Sequence, residues 1–269
     1  MPETDAEQLP MTVPRFVALK AAGRKISMLT AYDFTLAGAL DATGIEGILV
    51  GDTLGMVVQG RQNTLGVTLD QIIYHAEMVG RAVKHALTVV DLPFPFGCAG
   101  RRDAVRAAAR VLKETACQAV KLEVGSEQAR VIAALVSAGI PVMAHCGLRP
   151  QSVHLLGGYK VQRNADRLFD DARAAEDAGA FSIVLECIPA ALASQITAEL
   201  SVPTIGIGAG AGCDGQVLVT HDMLGLTPGH VPRFAKPYAQ LGDAIRQAVT
   251  QYRDEVRAGE FPDEQRSFK

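Results

Sequence analysis

The sequence predicts a (β/α)8 barrel of the TIM type, an α/β fold, as a single domain over residues 1–269 with a short extra helix at its N-terminus. Three observations predict it. Short apolar, β-rich runs alternate with helical patterns along the whole chain and give eight strand candidates, and about 250 residues is the usual span of such a barrel. The helical segments often close on Gly or Ala-Gly just before the next run. Six successive runs, ISMLTAYD, GILVGD, LTVVD, AVKLE, PVMAH and FSIVLE, end on an acid or a histidine, at Asp33, Asp52, Asp91, Glu123, His145 and Glu186. A doubly wound open sheet is the rival arrangement, but it gathers ligands at one switch crevice. Polar groups at six successive strand ends suit a barrel, whose site is built from the C-terminal ends of all its strands.

The elements follow in order. Residues 1–11, MPETDAEQLPM, read as a flexible N-terminus, acidic and without the apolar stretch of a signal peptide. VPRFVALKAAG (13–23) reads as a short helix suited to plugging the barrel bottom. The strand runs GILVGD, LTVVD, AVKLE, PVMAH and FSIVLE are followed by LDQIIYHAEMVGRAVKHA (69–86), RDAVRAAARVLKETA (102–116), SEQARVIAALVSAG (126–139), NADRLFDDARAAEDAG (164–179) and PAALASQITAEL (189–200), each with helical apolar spacing or helix-forming composition. Ser126 and Asn164 are placed to cap two of these helices, Gly139 and Gly179 to end them, and Pro189 suits a first turn. PTIGIG (203–208) and GQVLVTHD (215–222) are the last strands, and AQLGDAIRQAVTQYRDEVRAG (239–259) is the final helix. No Pro- or Ser-rich linker divides the chain.

Composition excludes several classes. The net charge is −3 and no basic stripe is present to neutralise phosphates, which argues against nucleic acid. No apolar stretch of about 18 residues occurs, so no membrane span is expected. Cys98, Cys117, Cys146, Cys187 and Cys213 form no CxxC pair and are odd in number, which points to reduced thiols in a cytoplasmic protein.

Acids converging on one cavity repel each other unless a cation or protons neutralise them. Asp52 and Asp91 therefore read as carboxylate ligands of a hard cation, for which oxygen donors favour Mg²⁺. The plain alternative is that each caps the following turn. Lys121 and Glu123 are two apart on one strand and share a face. They read as a lysine for a substrate carboxylate and a glutamate for the metal, directly or through water, or else as a structural ion pair. His145 is placed to donate to a substrate oxygen or to be a satisfied core histidine. Glu186 suits general acid/base work, with pairing to Lys121 as the alternative. The glycine-rich run 206–212 lacks both the dinucleotide and the P-loop spacing, and reads as a loop that brings backbone close to a ligand. His75, His85, His154, His221 and His230 have no metal-ligand spacing. His145 and Cys146 are adjacent on a strand and point to opposite faces, so they form no dyad.

The segments TAYD (30–33), VGDTLGMVVQG (50–60), VVDLPF (89–94), VKLEVG (120–125), AHCGLRPQSV (144–153), GGYKVQ (157–162), VLECIP (184–189), IGIGAG (205–210) and CDGQVLV (213–219) resemble the ketopantoate hydroxymethyltransferase family, from about residue 12 to the C-terminus. The resemblance implies a barrel similar to the phosphoenolpyruvate mutase and isocitrate lyase group. It implies Mg²⁺ on Asp52, Asp91 and Glu123, the ketoacid on Asp52, Thr53, Asp91 and Lys121, His145 against the substrate, and Glu186 as general base. It implies 5,10-methylenetetrahydrofolate as co-substrate, hydroxymethyl transfer to 3-methyl-2-oxobutanoate in pantothenate synthesis, and a homo-oligomer, commonly a decamer. Three departures stand out: Thr53 where the family usually has serine, PFGCAG (95–100) after DLPF, and Gln265-Arg266-Ser267-Phe268 near the end. Two other readings remain: a Mg²⁺-dependent 2-oxo-acid lyase or mutase of the isocitrate lyase type, whose Lys-Lys-Cys-Gly-His loop is not found here, and a non-catalytic barrel that binds a carboxylic acid.

Overall fold

The computed structural model describes residues 9–229 and 231–268. Residues 1–8 of the expected flexible N-terminus, His230 and Lys269 lie outside them. By backbone contacts the chain forms two compact units, one reaching to Leu218 and the other beginning at Val219.

In the first unit eight parallel strands close into a barrel in sequence order. They are β1 Ile26–Thr30, β2 Gly47–Val50, β3 Leu87–Asp91, β4 Ala119–Glu123, β5 Val142–Gly147, β6 Ser182–Glu186, β7 Thr204–Ile207 and β8 Gly215–Leu218. The helices are α1 Val13–Ala21, α2 Phe34–Asp41, α3 Leu54–Val57, α4 Leu69–Ala82, α5 Arg101–Glu114, α6 Ala129–Ser137, α7 Val153–Leu156, α8 Ala165–Asp177 and α9 Ala190–Glu199. The second unit holds α10 Thr220–Met223 and α11 Leu241–Ala258.

Strand parity sorts the core into two layers. Ile48, Val50, Val90, Val120, Leu122, Ala144, Ile183 and Leu185 face outward and pack with helix residues such as Ile72, Val111, Ile132 and Ile196. Met28, Leu49, Val89, Ala119, Met143, Val184 and Ile205 face inward and form a separate cluster with Phe16 and Leu19 of α1. Helix α1 therefore closes the barrel interior on the side away from the strand C-termini, as its sequence suggests. Phe16 meets Phe181 edge to face at 5.9 Å, and Lys20 fastens the helix to Asp214 at 2.9 Å. Burying a side chain of this size stabilises the fold by about 2–3 kcal/mol.

Local signals hold in most places. Asn164 caps α8 by accepting from the Arg167 N–H. Gly139 and Gly179 follow α6 and α8 with φ of +80° and +94°, a region open to glycine at little cost. Ser126 does not cap α6. It opens a 3₁₀ turn, Ser126–Gln128, and its N–H donates to Asp171 Oδ1 at 2.7 Å. The βα rhythm is also broken once, because residues 208–214 between β7 and β8 form turns and no helix. That connection lies flat on α9: a Cβ at Gly210 would stand 2.4 Å from Ala190 Cβ, and one at Gly212 2.8 Å from Ser194 Cβ. Gly210 and Gly212 thereby allow the backbone to pack closely on a helix.

Candidate active site

The parity that sends Leu87 and Val89 of β3 inward also turns Asp91 inward, and the same holds for Lys121 and Glu123 on β4, His145 on β5 and Glu186 on β6. The register sets them at one level of the barrel: Asp91 pairs with Lys121, Glu123 with His145, and Gly147 with Glu186. Asp52 lies just past β2, where its N–H donates to Asp91 Oδ2 at 3.0 Å. Asp52, Asp91, Lys121, Glu123 and His145 are all buried. The Glu186 side chain keeps 15% of its surface, enough to face an incoming molecule. Of the six strand-end residues, Asp33 alone stands apart. It is exposed and caps α2, accepting from the Leu36 N–H at 2.9 Å.

Lys121 Nζ is the cationic centre. It lies 2.7 Å from Asp91 Oδ1 and 3.2 Å from His145 Nδ1. Burial pulls its pKa down, but the carboxylates of Asp91, Asp52 and Glu123 more than offset this and hold it above the ordinary lysine value. An ammonium only donates, so His145 Nδ1 accepts and the neutral ring carries its proton on Nε2. Burial and the Lys121 charge both push the His145 pKa down, which keeps the ring neutral. Nε2 stands 3.1 Å from Glu186 Oε2 but off the line of a hydrogen bond, and no described residue satisfies it. A buried N–H without a partner at the mouth of a site is positioned for a substrate oxygen.

The carboxylates are under strain of charge. Burial and the Asp91 carboxylate push Asp52 up to about 7, against opposing hydrogen bonds from Gln151 and Thr64. Burial, then the Asp52 charge, pushes Glu123 well above its ordinary value. Asp52, Asp91 and Glu123 thus act on one ammonium, with Glu186 beyond them beside His145, and the carboxylate donors are all oxygen. This is the chemistry of a hard dication, which would replace the protons the acids otherwise hold. Among the described residues, no three His, Cys, Asp or Glu side chains stand close enough to hold an ion by themselves. Mg²⁺ is commonly held by one or two carboxylates together with waters and substrate oxygens, so the residues fit it.

Two residues in contact with the candidate site escape the sequence reading. Gln151, on the loop after β5, donates from Nε2 to Asp52 Oδ2 at 2.9 Å and to the Leu92 carbonyl at 3.1 Å, and its N–H donates to Glu123 Oε2 at 3.0 Å. Tyr32, buried in the TAYD motif, shares a 2.9 Å hydrogen bond with Thr53 Oγ1, so the hydroxyl kept at position 53 has a fixed partner. His75 in turn holds the Tyr32 carbonyl through Nδ1 at 2.6 Å. The PFGCAG loop packs onto the site from β3: a Cβ at Gly97 would stand 2.6 Å from the Glu123 carbonyl oxygen.

The all-oxygen cluster around a lysine, with an acid and a histidine beyond it, suits enolisation of a small 2-oxo acid. The comparisons narrow the family. A family model described as ketopantoate hydroxymethyltransferase matches residues 10–264. The 3-methyl-2-oxobutanoate hydroxymethyltransferase of Rhodopirellula baltica is 55% identical over 269 residues, 100% of each chain. That of Desulforapulum autotrophicum is 52% identical over 259 residues, 96% of this chain and 98% of its own. Among solved structures, an oxaloacetate acetylhydrolase with oxalate superposes with a TM-score of 0.61 at 16% identity, covering 92% of this chain and 89% of that one. A 2,3-dimethylmalate lyase of the PEP mutase/isocitrate lyase superfamily gives 0.58 at 18%, covering 93% and 89%; at such identity the likeness is one of fold. The length and identity of the sequence matches place the chain in the ketopantoate hydroxymethyltransferase family.

Proposed function

We propose that the chain transfers a hydroxymethyl group from 5,10-methylenetetrahydrofolate to 3-methyl-2-oxobutanoate, forming 2-dehydropantoate on the route to pantothenate. The observation that carries the reading is the inward row of Asp91, Lys121, His145 and Glu186 beside Asp52, in a chain 55% identical to a relative named for this reaction. Asp52, Asp91 and Glu123 would hold Mg²⁺. When bound, the cation supplies a Lewis acid beside the ketone, which lowers the cost of negative charge on the enolate oxygen.

The chain's own groups do the rest. Lys121 offers a point charge to the substrate carboxylate. The Tyr32–Thr53 pair presents a hydroxyl at the edge of the same pocket, and His145 Nε2–H donates to a substrate oxygen. Glu186 takes the proton from C3, and the carbanionic carbon bonds to the methylene carbon of the donor. The methylene carbon's bond to N10 of the donor breaks as the new bond forms. Water then replaces N5 and supplies the hydroxyl. The proton from C3 and one from water end on the two nitrogens, so the donor leaves as tetrahydrofolate. Burial of the cluster keeps bulk water from the acids and strengthens each charge interaction.

The five unpaired thiols support a reducing, cytoplasmic setting. The exposed stripe Ile245, Val249, Tyr252 and Val256 on α11 supports assembly into a homo-oligomer, for which a decamer is the expected form. The lyase or mutase alternative has only fold likeness behind it. Incubation with both substrates and Mg²⁺ should yield 2-dehydropantoate, and EDTA should stop it. Cleavage of isocitrate-like acids without hydroxymethyl transfer would overturn the reading.

A further inference from the structure

The loop after β5 straps the barrel mouth. From Gly147 it reaches Glu123 at the end of β4, the Leu92 carbonyl after β3 and Asp52 after β2, all through Gln151. It then returns to the β2 side a second time, where Tyr159 Oη donates to Met56 Sδ of α3 at 3.7 Å. Beyond Gln151 the strap turns apolar groups outward: Leu155 is 84% exposed, Val161 48% and Tyr159 47%. A cluster of this kind on the rim of a charged site marks a binding surface.

The buried cluster is made of charged and hydrogen-bonding groups, which suit a small ketoacid. The one-carbon donor has the opposite chemistry, a planar heteroaromatic ring carrying the carbon to be transferred. That carbon has to come within bonding distance of C3, so the ring must rest at the rim. We propose that Tyr159, anchored through its hydroxyl to the Met56 thioether, is the platform on which the donor's ring stacks; this rests on the hydroxymethyl transfer proposed above. Aromatic rings stack favourably with offset partners, and the hydrogen bond from Oη to the Met56 sulfur anchors the ring at its tip while leaving its face open. The Tyr159 hydroxyl is pushed above its ordinary pKa by burial and then by the charges of Asp52, Glu186 and Glu123, which fits a ring standing over the reacting groups. Gly157 and Gly158, both at positive φ, set the turn that delivers Tyr159 to the mouth.

The test compares full-length wild type with Tyr159→Leu, Tyr159→Phe and, as a comparison on the rim beyond β3, Phe94→Leu. Two quantities are read: KM for 5,10-methylenetetrahydrofolate, and the rate of deuterium exchange at C3 of 3-methyl-2-oxobutanoate with Mg²⁺ and no donor. Tyr159→Leu should raise the donor KM about tenfold and leave the donor-free exchange intact. Tyr159→Phe, which keeps the ring, should retain the wild-type donor KM. An unchanged donor KM in Tyr159→Leu overturns the platform, as does a rise found only in Phe94→Leu. Exchange that falls in step with transfer in Tyr159→Leu also overturns it, since the residue then serves the ketoacid site or the fold. A change in mass by light scattering with an unchanged donor KM overturns it in favour of a second copy on this surface. Failure of the underlying reaction is distinct: wild type itself then shows no exchange.

Discussion

Asp52 sits where burial and a neighbouring carboxylate act in the same direction. Its pKa of about 7 in the metal-free fold lies above the ordinary 3.8, so between those values the folded chain binds a proton that the unfolded chain has released. That contribution to stability is present at the acid end of the window and is lost as pH rises through about 7. Asp52→Asn has no such proton to lose. At pH 8 with EDTA the variant should melt higher than wild type, by roughly 5 °C, and the two should converge below about pH 4. Calorimetry across pH reads this directly, and a constant gap at every pH would contradict it. Wild type should recover the difference at pH 8 when Mg²⁺ is added. His145 makes a complementary point. Its neutrality, held by burial and the Lys121 charge, keeps Nε2–H a donor rather than a second cation.

At the level of elements, strand ends and the loops beyond them share the work. Gly147, at the end of β5 with φ +94°, shows how tightly: a Cβ there would stand 2.3 Å from the Glu186 carbonyl, so no other residue lets β5 and β6 close at the level of Glu186. The strap after β5 then fixes the acids from above. Gln151→Ala should weaken divalent-cation binding about tenfold or more, because Asp52 loses the amide that orients it. Titration with Mn²⁺ followed by electron paramagnetic resonance measures the affinity, and an unchanged value would show that Asp52 is held by other means. Much of this level was legible in the sequence. The strand-end positions pointed Asp91, His145 and Glu186 to one barrel mouth, and the two-residue spacing put Lys121 and Glu123 on one face, because a buried strand fixes which parity points where. Gln151 and Tyr32 were not legible as site residues. Gln151 meets Asp52 across 99 residues of chain, and a lone glutamine in a loop carries no periodicity to reveal that contact. The glycine run 206–212 shows a related limit: close approach can be read from glycine, but the partner, which for Gly210 and Gly212 is α9, cannot.

Across the molecule, the barrel is self-sufficient in its apolar layers, while α11 is not. Its residues Ile245, Val249, Tyr252 and Val256 recur at helical spacing and all remain exposed, and none of its residues is buried. A stripe of that size needs cover. Val249→Asp combined with Tyr252→Asp should lower the assembled mass measured by light scattering, with barrel secondary structure retained by circular dichroism. An unchanged mass would remove α11 from the assembly. The eight-strand architecture itself was legible because each strand run is short, apolar and separated by a helix-length pattern. The helix-free connection between β7 and β8 was legible too, since the glycine-rich run 206–212 reads as a loop, whereas α2, between β1 and β2, was not among the expected helices.

The proposed chemistry rests on a carboxylate, Glu186, that takes a proton from carbon. It is tested most directly by proton NMR of 3-methyl-2-oxobutanoate in D₂O, with Mg²⁺, without donor, comparing wild type and Glu186→Gln. Wild type should wash out the C3 proton signal, and Glu186→Gln should do so about 10²–10⁴-fold more slowly. Exchange at the wild-type rate in Glu186→Gln, or none in wild type, would contradict the assignment of the base.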